Sequence, residues 1–190
     1  MAGARAPAPQ AAFVLHHYDW SESSLILDLF TRGAGRAVVV AKGAKRPYSQ
    51  LRAVLLPLQR LTVSLGRMPA GDGEVQTLRH AEWAGGMAMP GGAALFSGFY
   101  LNELLMKMLP RHDPHPALFD AYAATLPALV VEAEPQVEAA LRAFELVLLK
   151  ETGLLPDLSL ATLSQQALRE GRSYALRPEA GVIEADAVEG

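Results

Sequence analysis

A chain of the α+β class, with a small β-barrel first and a helical domain after it, is predicted by three observations. Short apolar runs with period two fill the sequence up to about Gly85. Behind the segment "GGMAMPGGA" the apolar spacing becomes that of helices. The charge divides at nearly the same place: residues 1–80 hold ten Lys and Arg against five Asp and Glu, a net +5, whereas residues 81–190 are net −8.

The strands can be justified in order. "AFVLHHY" and "SSLILDLFT" are parted by the polar break "DWSE". "TRGAGR" supplies two glycines where a hairpin loop needs positive φ, and "AVVVAKG" is the return strand. "SQLRAVLLPLQ" is too short and too limited by proline for more than a turn of helix. "RLTVSLGR" alternates Leu61, Val63 and Leu65 with polar neighbours, "GRMPAGDG" is a Gly/Pro loop, and "EVQTLRHAEW" is the fifth strand. Five short strands in so few residues fit a small closed barrel, and the five-stranded OB-fold, which commonly binds single-stranded nucleic acid, is the natural candidate.

Three helices follow. Leu95, Phe99, Leu104, Met108 and Leu109 keep helical spacing until Pro110. A second helix is expected with Asp113 as N-cap, Pro114 just inside, and Leu118, Phe119, Tyr122 and Leu126 as its apolar stripe. The third has Pro135 in its first turn, Val137, Leu141, Phe144 and Leu148 on one face, and Gly153 as its stop. Together they would form a bundle capping one side of the barrel. "RSYALRPEAGVIEA" reads as a hairpin around Pro178–Gly181, while "LSQQALREG" has no strong face. The expected organisation is a flexible tail over 1–11, an OB-fold domain over 12–85, a helical domain over 86–158, and over 159–190 the start of a C-terminal lobe that reads as truncated.

Composition excludes several classes. The chain has no cysteine, so disulfides and thiolate metal sites are ruled out, and a reducing cytosol suits it. No segment reads as a signal peptide, and nothing approaches the roughly 20 consecutive apolar residues of a membrane span. A cytoplasmic protein is expected, with no membrane partner. No G-x-x-x-x-G-K-[ST] phosphate loop, no paired carboxylates and no G-x-S-x-G elbow around Ser21, Ser23 and Ser24 mark an enzyme. "HDPH" at 112–115 reads as a helix start rather than a metal site, so no cofactor or metal is expected.

The stretch with a message is "VVVAKGAKRPYSQLR". Between Gly33 and Arg60 lie Arg36, Lys42, Lys45, Arg46, Arg52 and Arg60 with no acidic residue. The plain reading is a solvated surface. The alternative is a phosphate-binding loop, since an array of cations along a groove is what a polyanion needs, with Arg giving forked contacts and Lys point charges. Tyr48 is a candidate platform for a base, although tyrosines near barrels are more often core. Trp20 lies where the first connecting loop is expected, either lining that face or packing on the barrel end.

Several of these segments, "FVLHHYDWSESSLILDLFTRGAGRAVVVAKGAKRP", "GEVQTLRHAE", "FSGFYLNELLMKML" and "LRAFELVLLKETG", resemble the recombination and repair protein RecO family in order and spacing, from about Ala12 to Ser159. The resemblance implies an N-terminal OB-fold, a helical central domain and a recombination mediator of the RecF pathway. Such a protein binds single- and double-stranded DNA, anneals complementary strands, and works with RecR to load RecA on DNA coated by single-strand-binding protein (SSB). It strengthens the reading of Arg36, Lys42, Lys45, Arg46 and Arg52 as DNA contacts, with Tyr48 beside them as the candidate platform for a base. It also implies that Arg142, beside Leu141 and Phe144, holds the acidic C-terminal tail of SSB, where a local pair with Glu138 or Glu145 is the plain reading. Two departures stand out. Many family members carry a four-cysteine zinc site after the third helix, absent here, and the family usually continues beyond Gly190. A general OB-fold RNA-binding module and a purely structural adaptor are the rival readings.

Overall fold

The computed structural model describes residues 8–68, 75–86, 89–131 and 134–185. The tip of the expected Gly/Pro loop (69–74), residues 87–88 of the linker, and both ends of the chain lie outside the described residues. The chain divides into two compact units, residues 1–144 and 145–190.

The first unit holds a closed barrel of β1 (Gln10–Asp19), β2 (Leu25–Thr31), β3 (Gly35–Ala41), β4 (Arg60–Leu65) and β5 (Val75–Trp83), in the order β1-β2-β3-β5-β4. β1 closes it by pairing antiparallel with β4, Ala12 opposite Leu61, while β3 and β5 run parallel from Val38 and Val75. Between β3 and β4 lies α1 (Gln50–Val54), the single helical turn that the sequence allows. The interior is filled from alternate positions, among them Ala12, Val14, Leu27, Leu29, Val39, Leu61 and Val63.

Strand β1 is buried at four consecutive positions, Ala12 to Leu15, because its two faces meet two different layers. Ala12 and Val14 point into the barrel. Phe13 points out, opposite Phe30 in the β1–β2 register, onto the helices. Its ring lies 5.3 Å from Phe119 and 4.9 Å from Tyr122, so the outer face of β1 and β2 shares an aromatic core with the helical part.

That part consists of α2 (Gly92–Met108), α3 (Pro116–Val131) and α4 (Glu134–Glu151). α2 is tied to the barrel by Asn102, which is buried and donates to the carbonyl of Leu15 at 2.9 Å, while the Tyr122 hydroxyl of α3 donates to the Asn102 side chain. Burial raises the Tyr122 pKa, so this hydroxyl stays a donor. Gly98 of α2 is buried where a Cβ would come within 2.6 Å of Leu58. The missing side chain is what lets the helix approach the barrel.

α3 begins at Pro116, later than the expected cap at Asp113. Gly35, at φ +69°, passes so close to the Asp113 carbonyl that a Cβ would sit 2.0 Å from it, and the His112 N–H bonds the carbonyl of Arg36 at 2.8 Å. The segment is therefore held along β3, and His115 takes the cap position, its carbonyl accepting from Phe119 at 2.9 Å.

The second unit starts within α4, whose end at Glu151 is followed by Gly153 at φ +72°, the stop that the sequence suggests. It contains the two-stranded sheets β6 (Leu160–Ala161) with β7 (Gln166–Ala167), and β8 (Tyr174–Arg177) with β9 (Gly181–Glu184). The β8–β9 hairpin turns through Pro178, as expected. β6 and β7 are too short to leave a periodic signal in sequence.

Candidate nucleic-acid interface

The basic stretch divides into a buried end and an open one. At the open end the chain leaves β3 through Gly43, whose φ of +73° only glycine adopts readily, and Ala44 tucks into the barrel core. Successive turn bonds, from Arg46 N–H to the Gly43 carbonyl and from Ser49 N–H to the Arg46 carbonyl, fix the loop backbone. Lys42, Arg46, Pro47 and Tyr48 then project outward and line an open cavity of about 460 Å3. Tyr48 is 96% exposed, and Arg52 is exposed on α1. Among the described residues, no carboxylate pairs with Lys42, Arg46 or Arg52.

Lys45 is engaged differently. Its ammonium donates to the Ser21 carbonyl at 3.1 Å and pairs with Asp19 at 3.1 Å, and its backbone N–H donates to the Ser23 carbonyl at 3.0 Å. It joins the basic loop to the β1–β2 connection, which carries exposed Trp20.

Arg36, expected on the DNA face, is a structural residue instead. Its guanidinium fork takes both oxygens of Asp28 at 3.0 Å each, and its remaining nitrogen donates to the carbonyls of Met106 and Leu109. Those carbonyls are orphans at the C-terminal end of α2, where partial negative charge accumulates and a cation is stabilising. Asp28 and Arg36 side chains are only 7% and 12% exposed. The strand register explains the pairing: Asp28 faces outward from β2 between the inward Leu27 and Leu29, diagonal to Arg36 on β3. A lone carboxylate inside "LILDLF" was the available signal that a buried cation must lie opposite.

The hairpin tip carries a further arginine in another setting. Arg32 forms a forked pair with Asp120 of α3, at 2.9 and 2.8 Å, with both groups about half exposed. The hydrogen bond from Arg32 holds the Asp120 carboxyl below the usual carboxylate range. Sequence gave no hint of this pairing between distant elements.

On α4 the three expected tail-binding residues separate. Arg142 is exposed and Leu141 half-buried, but Phe144 is buried with its ring 6.1 Å from Tyr122. Phe144 thus belongs to the shared core and offers no surface to a peptide. Among the described residues no group of three or more His, Asp or Glu is placed to hold a metal ion. The segment following α4 has no thiolate, so it does not fit the four-cysteine zinc site named with the resemblance above. No helix among the described residues is long and apolar enough to cross a membrane.

The strand order, the single helix between β3 and β4, and the outer helical layer define an OB-fold protein with an α-helical extension. Residues 8–87 match the family description "Recombination protein O N terminal", and residues 91–181 match "Recombination protein O C terminal". The "DNA repair protein RecO" of Polaromonas sp. (strain JS666 / ATCC BAA-500) is 53% identical over 176 residues, 93% of this chain and 69% of that protein. The protein of the same name from Verminephrobacter eiseniae is 51% identical over 189 residues, 100% of this chain and 74% of its own length. That of Variovorax paradoxus is 54% identical, covering 96% of this chain and 71% of its own. The chain belongs to the RecO family of DNA repair proteins.

Proposed function

We propose that the chain is a recombination mediator that binds single- and double-stranded DNA through the cations Lys42, Arg46 and Arg52 of the basic loop, with Tyr48 beside them as a platform for an unpaired base. In this reading it anneals complementary strands and, with RecR, helps load RecA on SSB-coated DNA. The observation carrying the proposal is the set of exposed cations Lys42, Arg46 and Arg52, without acidic partners among the described residues, in a chain of a DNA repair family. Neutralising phosphates on two strands at once lets them sample register, which needs no nucleotide and no catalytic group. The limits 12–85, 86–158 and 159–190 are proposed as the functional modules, Arg142 with Leu141 as the contact for the SSB tail, and the nucleoid as the place of action. No catalysis and no zinc are part of the mechanism.

The test is annealing of complementary oligonucleotides, naked and SSB-coated, without nucleotide. Acceleration in both settings is expected. Binding without acceleration would favour the RNA-binding module, and absence of any salt-sensitive nucleic-acid affinity would leave only an adaptor.

A further inference from the structure

We infer that Trp20 and Tyr48 form a two-ring stacking site for the unpaired bases of single-stranded DNA, and that Lys45 is its positioning residue rather than a phosphate ligand. The inference rests on the DNA-binding reading above and deepens it, by assigning to one patch the ability to tell single strands from duplex.

The two rings are the first observation. Trp20 is 67% exposed and Tyr48 is 96% exposed, and neither has a ring contact or a hydrogen bond from its side chain among the described residues. Single exposed aromatics are ordinary on a protein surface. Here, however, the two sit on connections that begin at the same end of the barrel. β2 starts at Leu25 opposite Ala41, the last residue of β3, so the β1–β2 connection and the basic loop emerge side by side.

The second observation is what Lys45 does there. A lysine meant for phosphate would leave its ammonium in water. Lys45 instead has its side chain 30% exposed, its ammonium on the Ser21 carbonyl and the Asp19 carboxylate, and its N–H on the Ser23 carbonyl. Three bonds thus run from one residue to three of the positions flanking Trp20. The β1–β2 connection is itself closed by bonds from Trp20 N–H and Ser21 N–H to the Ser24 carbonyl. Both rings therefore stand on fixed backbone, so little conformational freedom is lost when a base meets them.

The third observation is the charge beside them. Lys42 and Arg46 share the cavity rim with Tyr48, so a backbone tracked by those cations delivers its bases to the rings. In duplex DNA the bases are already stacked on one another and offer no free face. The cations consequently serve both forms of DNA, and the rings serve only the single strand.

The experiment compares affinities for a single strand and for duplex of the same length. Trp20→Ala and Tyr48→Ala are each expected to weaken single-strand binding at least about fivefold and to leave duplex binding unchanged. Tyr48→Phe, which keeps the ring, is expected to bind as wild type. Because the chain has two tryptophans, Trp83→Phe leaves Trp20 as the sole emitter, and its fluorescence should be quenched by the single strand and not by duplex. Lys45→Ala should lower single-strand affinity with the log–log salt slope unchanged, whereas a phosphate ligand would take about 0.7 from it. Wild-type single-strand affinity in both aromatic variants, or an equal loss for both DNA forms, overturns the stacking site while leaving the DNA reading intact. If Lys42→Ala/Arg46→Ala/Arg52→Ala leaves both affinities unaltered, the DNA reading itself fails, and the stacking site falls with it.

Discussion

Arg36 and Arg46 lie ten positions apart on one uninterrupted basic stretch, yet they belong to opposite regions of the molecule. Arg36 is enclosed between β2, β3 and the end of α2, with its donors spent on Asp28 and on two helix carbonyls. Arg46 stands in water on a loop whose backbone is fixed by its own turns. A cation's use is decided by what its strand register places opposite. A position facing the helical layer must be neutralised and fully hydrogen-bonded, while a loop beyond the strand's end is left to meet a partner. Arg32, half exposed on Asp120, is the intermediate case.

The comparison is broken most sharply by Arg36→Ala. It would leave Asp28 buried and unpaired and uncap the end of α2, at a cost of about 3–5 kcal/mol. Denaturant unfolding should show that loss, with annealing disappearing only because folded protein is depleted. A stable Arg36→Ala protein with reduced DNA affinity would place Arg36 back on the interface. The opposite substitution is Lys42→Ala/Arg46→Ala/Arg52→Ala. Stability should stay within about 0.5 kcal/mol, as for surface changes generally. The log–log salt slope should fall by about two to three, and affinity on the order of a hundredfold at about 0.1 M salt. Filter-binding titrations over a salt series would measure both.

The barrel was legible because period-two runs, a Gly-rich hairpin and a Gly/Pro linker each act locally, and the helices because their stripes are long. The separation of Arg36 from the open cations depends on which face of β3 meets α2, and its one trace in the sequence is Asp28 on the neighbouring strand rather than anything in the basic stretch itself. A run such as "GRAVVVAKGAKR" looks the same whether its first arginine is covered or free. Phe144 is buried where a surface role is expected for the same reason: an apolar stripe tells that a helix packs, not against what. The late start of α3 follows from a backbone approach at Gly35 that no local propensity encodes. The exposed loop, by contrast, is readable because it lacks acidic residues in sequence: Lys45 reaches Asp19 on another strand, while Lys42, Arg46 and Arg52 pair with no carboxylate among the described residues.

Arg142 extends the comparison to the acidic part of the chain. It is an exposed cation on α4 beside half-buried Leu141, in a region of net −8 that would otherwise repel an acidic peptide. If it serves the SSB tail, Arg142→Ala should weaken tail-peptide binding at least tenfold, consistent with about 2 kcal/mol or more for losing one partner of a desolvated charge pair. Affinity for bare DNA should not move. Unaltered peptide affinity in calorimetric titration would return Arg142 to the helix surface as a local pairing residue.

The smallest expected effect tests the intermediate case. The hydrogen bond from Arg32 lowers the Asp120 pKa in the folded chain below its unfolded value of about 3.9. A depressed folded pKa means that the unfolded state binds the proton first on acidification. The pair's stabilisation is therefore fully present above that unfolded value and is lost as pH falls through the lower folded one. Asp120→Asn removes the titrating group, so the variant should be slightly less stable than wild type at neutral pH. The two should converge below about pH 4. Because both partners are half exposed, added salt should shrink the neutral-pH difference, whereas the Arg36→Ala loss should be nearly insensitive to salt. Melting temperatures across pH and ionic strength would separate the two. A salt-sensitive loss at Arg36, or a salt-insensitive one at Asp120, would mean that depth in the structure is not what divides these arginines.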